Sequence, residues 1–214
     1  MKTSTKTEPN EVRVWDPLIR IFHWTLVVSF VVAYLSGEEL DQLHLWSGYL
    51  ITGLLIFRLL WGFVGSKHAR FRDFLYSPRQ ILDYGKSLLS GRPKRYLGHN
   101  PAGAVMVFML LFSLSFTVAS GLLLDAGVGS SAVAQLGQSV LPAKAWADDD
   151  DEDEEHEGKE NELLEEVHEF FANLTLLLVF LHIAGVIVSG RLHRENLVRA
   201  MITGNKPLKP EDTD

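Results

Sequence analysis

Four stretches of about 20 almost wholly apolar residues dominate this 214-residue chain, and a helix needs about that length to cross the hydrocarbon core of a bilayer. They run from Pro17 to Ser36, His44 to Val64, Gly103 to Leu124 and Val167 to Gly190. Buried helices of a water-soluble protein would keep a polar stripe, whereas these are apolar all round except for a few histidines and small residues. The first stretch lacks the small-residue cleavage pattern of a signal peptide, so it reads as a retained span. The expected fold class is all-α, an integral membrane four-helix bundle.

Charge then orients the chain. The run Asp148–Glu166 holds 13 acids and a single lysine, so the net charge of −7 hides a remainder of +5. Eighteen of the 20 basic residues fall in the N-terminal segment, the 65–100 connection or the C-terminal tail, counting Arg58 with the end it approaches. By the positive-inside rule these regions, and hence both termini, are cytoplasmic, and the acidic connection is periplasmic in a bacterial inner membrane. Charge sorted in this way leaves no basic face for nucleic acid. The absence of cysteine excludes iron–sulfur ligation, thiolate zinc sites and covalently attached c-type haem. Residues 1–13 and 206–214 read as cytoplasmic tails around a membrane domain over 14–205. The outer connection at 126–166 is too charged to bury a core and is expected to be disordered.

Local signals place two further features. Ser77 followed by Pro78 predicts a helix start and Gly91 its stop; Ile81, Leu82, Tyr84, Leu88 and Leu89 give this segment an apolar face suited to the inner membrane surface. Asn100-Pro101 predicts the cap that opens the third span.

Four of the eight histidines lie in or at the edge of spans: His23, His44, His168 and His182. Ionisable groups at that depth are rare and usually functional. His168 and His182 are 14 residues apart, which leaves them within roughly 40° on one helix face and roughly 21 Å apart along the axis. Topology places His23 on the inner half of the membrane and His44 at the outer edge. Two pairs of matched depth result, His23 with His182 inside and His44 with His168 outside. A porphyrin held between helices needs one imidazole on each side of its iron, and small residues beside the histidines (Gly48, Ala172, Asn173, Gly185) let a flat ring approach closely. Two haem b groups are therefore expected. Zinc is the rival, but it wants four ligands and each pair offers two. Arg58, 14 residues along its span from His44, is a candidate for an inner haem propionate, with snorkelling to headgroups the plainer alternative. His68 and His99, in the cytoplasmic connection, are candidates for quinone together with Arg20; solvated or capping histidines are the plainer reading of both.

VWDPLIRIFHW at 14–24, HLWSGY at 44–49, FRLLWGFVGSKHARF at 57–71, YLGHNPAGA at 96–104 and HEFFANLTLLLVFLH at 168–182 together resemble the bacterial cytochrome b561 family, and within it the b-type cytochrome subunit of nickel–iron hydrogenases. The resemblance covers about Val12 to Asn205. It implies a four-helix membrane bundle with two bis-histidine haems on His23, His44, His168 and His182, exchanging electrons between quinone and a partner. The acidic tract is a departure from that pattern. Its carboxylates suit a basic periplasmic redox protein such as a c-type cytochrome, although simple solvation of a long loop explains them too.

The function expected is an electron conduit across the inner membrane between the quinone pool and a periplasmic redox partner, c-type cytochrome or hydrogenase-like, docking at the acidic connection. One alternative is a free-standing oxidoreductase passing electrons from a small periplasmic donor such as superoxide to quinone. Another, from a different class, is a non-haem membrane metal transporter.

Overall fold

The computed structural model describes residues 11–37, 41–91, 93–127 and 153–209. In chain order these form β1 (Glu11–Arg13), α1 (Pro17–Ser36), α2 (Asp41–Val64), α3 (Pro78–Leu89), α4 (Pro101–Asp125), α5 (Asp153–His193), α6 (Leu197–Thr203) and β2 (Asn205–Pro207), with single 3-10 turns at Lys67–Ala69 and Phe71–Asp73. Four helices are long and apolar enough to cross a membrane, over 17–36, 42–64, 101–125 and 162–193. The expected spans are all present.

α5 departs from expectation at its start. Its backbone is helical from Asp153, well before the boundary expected at Val167, so part of the connection at 126–166 is helix. High charge forbids burial but not helix formation: glutamate, leucine and lysine are good helix formers, and acids at a helix N-terminus favour the macrodipole. Residues 128–152 of that connection lie outside the described residues.

The chain divides into two compact units, one of residues 1–109 and 179–214, the other of residues 110–178. In the first, β1 pairs antiparallel with β2, Val12 opposite Lys206. The two tails are thus joined, a small sheet that the all-α expectation missed. The amides of Val14 and Trp15 continue the pairing by donating to the Gly204 carbonyl at 2.9 and 3.0 Å. Gly204 has φ 88°, and a Cβ there would lie 2.6 Å from the Trp15 carbonyl oxygen, so this crossing needs glycine. Val14, Trp15, Ile19, Ala69 and Ala200 form the core beneath it.

Asp16 ties α1 to the end of α2. Its Oδ1 caps α1 by accepting from the Ile19 amide at 3.0 Å, with Pro17 opening the helix. Its Oδ2 accepts from Ser66 Oγ at 2.5 Å and Trp61 Nε1 at 3.3 Å. Burial alone would raise this carboxyl, but the bonds from Ser66, Ile19, Trp61 and Leu18 outweigh it and hold the pKa below the usual value. α3 starts as the sequence predicts: Ser77 and Gln80 form a reciprocal capping box, and Gly91 follows with φ 69°. Leu82 and Leu89 are exposed while Tyr84 is buried. Asn100 caps α4 by accepting from the Gly103 amide at 2.7 Å.

In the second unit, the later part of α4 packs on the first part of the α5 span. Ser113 Oγ donates to the Phe171 carbonyl at 3.1 Å and pairs with Thr175 Oγ1 at 2.8 Å. The Phe116 and Phe171 rings stack at 4.7 Å. Hydroxyl bridges of this kind hold apolar helices together where hydrocarbon gives no hydrophobic drive.

Candidate functional site

Two of the four membrane histidines face one another. His23 on α1 and His182 on α5, both in the first unit, have ring centroids 6.5 Å apart and planes inclined by 53°. An imidazole nitrogen meets a first-row metal at about 2 Å and the ring centroid lies about 1.1 Å farther, so two rings flanking one metal stand about 6.3 Å apart. The observed spacing fits a bis-imidazole iron. His23 Nδ1 is buried without a hydrogen-bond partner, the kind of exception that a folded chain keeps for a bound group.

His44 and His168 are held differently. His44 Nδ1–H donates to the Ala33 carbonyl, 11 residues earlier on α1, at 2.9 Å. His168 Nδ1–H donates to the Thr117 carbonyl on α4 at 2.9 Å and approaches Ser120 Oγ at 3.2 Å. A carbonyl can only accept, so each ring carries its proton on Nδ1 and keeps Nε2 as the lone-pair nitrogen. This is the usual arrangement of a metal-ligating histidine. A Cβ on Gly121 would lie 2.9 Å from His168 Cε1, so glycine there makes room for the ring. His44 belongs to the first unit and His168 to the second, and each is described within its own.

Sequence reasoning missed these supports. The acceptors of His44 and His168 are backbone carbonyls, which leave no trace in residue identity. Only the pair Ser120-Gly121 carried a signal, as small residues in a span. Of the small residues singled out, Gly48 and Gly185 have open space beside them, with nothing within 4 Å of an added Cβ.

Arg58 is 4% exposed, lies 4.7 Å over the Phe71 ring, and has an Nη1 with no partner. Burial of the guanidinium is inconsistent with snorkelling to headgroups. His99 is enclosed between Trp15 and Phe74, at 4.8 and 4.5 Å between ring centroids, with Nδ1 buried and unpaired. Burial, reinforced by the positive charge of Arg58 and Lys206 and by His68 and His182, pushes its pKa down to about 3. It is therefore neither a solvated nor a capping histidine. His68 packs against Gly98, and its Nδ1 stands 3.9 Å from Asp73. Burial, more than the charge of Lys67, lowers its pKa, against the pull of Asp73. Arg20 reaches α6, donating from Nη1 to the Ile202 carbonyl, while its Nε is buried and unpaired. The pair His23 and His182 thus has His99 and Arg58 in its electrostatic neighbourhood. Among the described residues, no cluster of three or more histidines and acids is placed to hold a metal ion.

The profile of the family described as prokaryotic cytochrome b561 matches residues 14–204. A protein of Rhodobacter capsulatus described as a probable Ni/Fe-hydrogenase B-type cytochrome subunit is 22% identical over 230 residues, covering 94% of this chain and 83% of its own. A protein of Azotobacter vinelandii with the same description is 23% identical over 234 residues, covering 95% and 91%. One of Escherichia coli K12, described as a probable Ni/Fe-hydrogenase 1 B-type cytochrome subunit, is 24% identical over 140 residues, covering 50% and 57%. No solved structure matches the chain significantly.

Proposed function

This chain belongs to the prokaryotic cytochrome b561 family, and from that premise we propose that it is a di-haem membrane cytochrome carrying electrons across the bacterial inner membrane between the quinone pool and a periplasmic redox protein. The observation that carries this reading is the facing pair His23 and His182, on separate spans at the separation one metal requires. Haem b held there supplies reversible one-electron chemistry, with a potential tuned by axial ligands, nearby charge and burial.

The residues of the chain divide the remaining work. His23 and His182 hold the inner group; His44 and His168 hold the outer one, an assignment that rests on their matched depth in the sequence. The carbonyls of Ala33 and Thr117 fix the Nδ1 protons of His44 and His168 and so aim their Nε2 nitrogens. Arg58 offers its unmet Nη1 to a propionate carboxylate in a dry setting, where a charge-assisted bond is strong. Quinone binds near the inner pair, beside Arg20, Arg58, His68 and His99. Both termini are cytoplasmic; the pairing of β1 with β2 supports a common side for the two ends, and the distribution of basic residues supports the cytoplasmic one. For the partner, the relatives' descriptions point to a hydrogenase and the acidic tract to a basic surface such as that of a c-type cytochrome.

Redox difference absorbance of the purified chain, with haem counted per polypeptide, tests the core of this reading. Two b-type haems are expected; a colourless protein, or less than one haem per chain, overturns it. Reaction with a basic cytochrome should be fast at low salt and lose that advantage at high salt. A rate indifferent to salt and to deletion of 148–157 removes the acidic tract as a docking surface.

A further inference from the structure

We propose that the basic cavity where α5 ends binds the phosphate of an anionic phospholipid headgroup. The cavity, of about 430 Å³, is lined by Lys94, Arg95, Leu192, His193, Arg194 and Lys209 among others, and no acidic residue lines it. In the proposed membrane orientation it lies toward the headgroup level, since His193 closes the fourth apolar span. Basic pockets at that level on transmembrane helices are suited to anionic headgroups.

The frame around the cavity is stiff. Glu195, whose side chain is 3% exposed, pairs with Arg95 and stands 3.6 Å from Lys206 and 3.9 Å from Lys209. It positions these cations from behind without entering the cavity. Arg194 turns the chain out of α5 with φ 51°, the one positive value at a non-glycine residue among those described. A helix C-terminus ordinarily repels anions. Here its carbonyls are covered: Glu195 N donates to the Gly190 carbonyl at 2.9 Å, and Lys209 Nζ to the His193 carbonyl at 2.6 Å. Lys94 and Arg194 are exposed and line the cavity, so their charge is open to whatever enters.

A free phosphate ion is much smaller than this volume. The half-exposed Leu192 at the rim adds an apolar side that a phosphate ion does not need and an acyl chain does. The observations therefore favour lipid as the source of the phosphate.

Native mass spectrometry of the full-length protein released from mixed micelles is the test, with phosphatidylglycerol and phosphatidylcholine as probes. One phosphatidylglycerol per chain should be retained in preference to phosphatidylcholine. Substituting both Lys94→Gln and Arg194→Asn should weaken that retention roughly 30-fold, the loss of two surface cations; asparagine tolerates the left-handed backbone at 194. Both side chains are exposed, and unchanged haem absorbance of the variant confirms its fold. Equal retention of the two lipids, or retention unchanged in the variant, overturns the proposal. Displacement of the lipid by millimolar inorganic phosphate overturns it also, by assigning the cavity to the free ion.

Discussion

His168 and His182 stand on one helix, 14 residues apart, yet their surroundings differ in kind. His168, like His44 on α2, gives its Nδ1 proton to a backbone carbonyl of a neighbouring helix at 2.9 Å. His182 and its facing partner His23 have no such anchor among the described residues; the His23 ring is set by edge contact with Trp24 at 5.1 Å and by His182 itself. A carbonyl bond fixes tautomer and ring direction before any metal arrives. His44 and His168 are thus set by the backbone, whereas His23 and His182 are set chiefly by each other; under the proposed function these are the outer and inner ligand pairs. Outer haem binding should therefore depend on helix packing, and inner haem binding on the two imidazoles and the charges around them.

Removing a ligand produces the largest effect. His23→Ala or His182→Ala should each lower the haem count from two to one per chain, both removing the same spectral component. His44→Ala or His168→Ala should remove the other. If His23→Ala and His44→Ala remove one and the same component, the pairing by depth is wrong.

The next effect bears on preparation rather than ligation. In Gly121→Val the new Cβ meets His168 Cε1 at 2.9 Å and Nδ1 at 3.2 Å, which must push the ring off the Thr117 carbonyl. Overpacking of this kind costs about 1–3 kcal/mol, so the haem component lost in His168→Ala should bind about 5- to 150-fold more weakly. Gly85→Ala on α3, away from the four histidines and with nothing within 4 Å of its Cβ, should leave both haems in place. Counting haem by absorbance separates the two variants; equal loss in both would remove the distinction drawn for His168.

How much of this was legible beforehand follows from what residue identity encodes. The four spans were legible because hydrocarbon admits so few side chains, and the caps at Ser77 and Asn100 because capping is done by side chains. The His23–His182 pair followed from counting depth along two spans. The anchors of His44 and His168 did not, because a carbonyl is common to every residue. The β1–β2 pairing was also hidden: three residues at each end carry no periodicity to read. The early start of α5 was missed because charge was taken as evidence against structure, when it is evidence only against burial. Arg58 and His99 were visible as candidates, but only the fold could tell a buried, unpaired group from a solvated one.

Arg58 sharpens the comparison on the inner side. Arg58→Gln should keep both haems and lower the midpoint potential of one, because a buried positive charge favours the reduced, less positive form. If the charge is worth about 1.4 kcal/mol in that balance, the shift is about 60 mV for one electron. Potentiometric titration reads it. The component that moves should be the one lost in His182→Ala; a shift confined to the other component would detach Arg58 from the inner site.

The smallest effect concerns pH and belongs to the surroundings of the His23–His182 pair, where His99 stays neutral with its pKa pushed down to about 3. The unfolded chain titrates the same imidazole near 6.5. Between those values the unfolded state binds a proton that the folded state refuses, so stability falls as pH drops through 6.5 toward 3. His68, its pKa also lowered by burial, contributes in the same direction. The wild-type Tm at about pH 5 should then lie several degrees below that at about pH 7.5. His99→Phe keeps an aromatic ring between Trp15 and Phe74 and should flatten most of that slope, leaving the part owed to His68. A slope as steep in His99→Phe as in the wild type would mean that the proton taken up on unfolding belongs elsewhere.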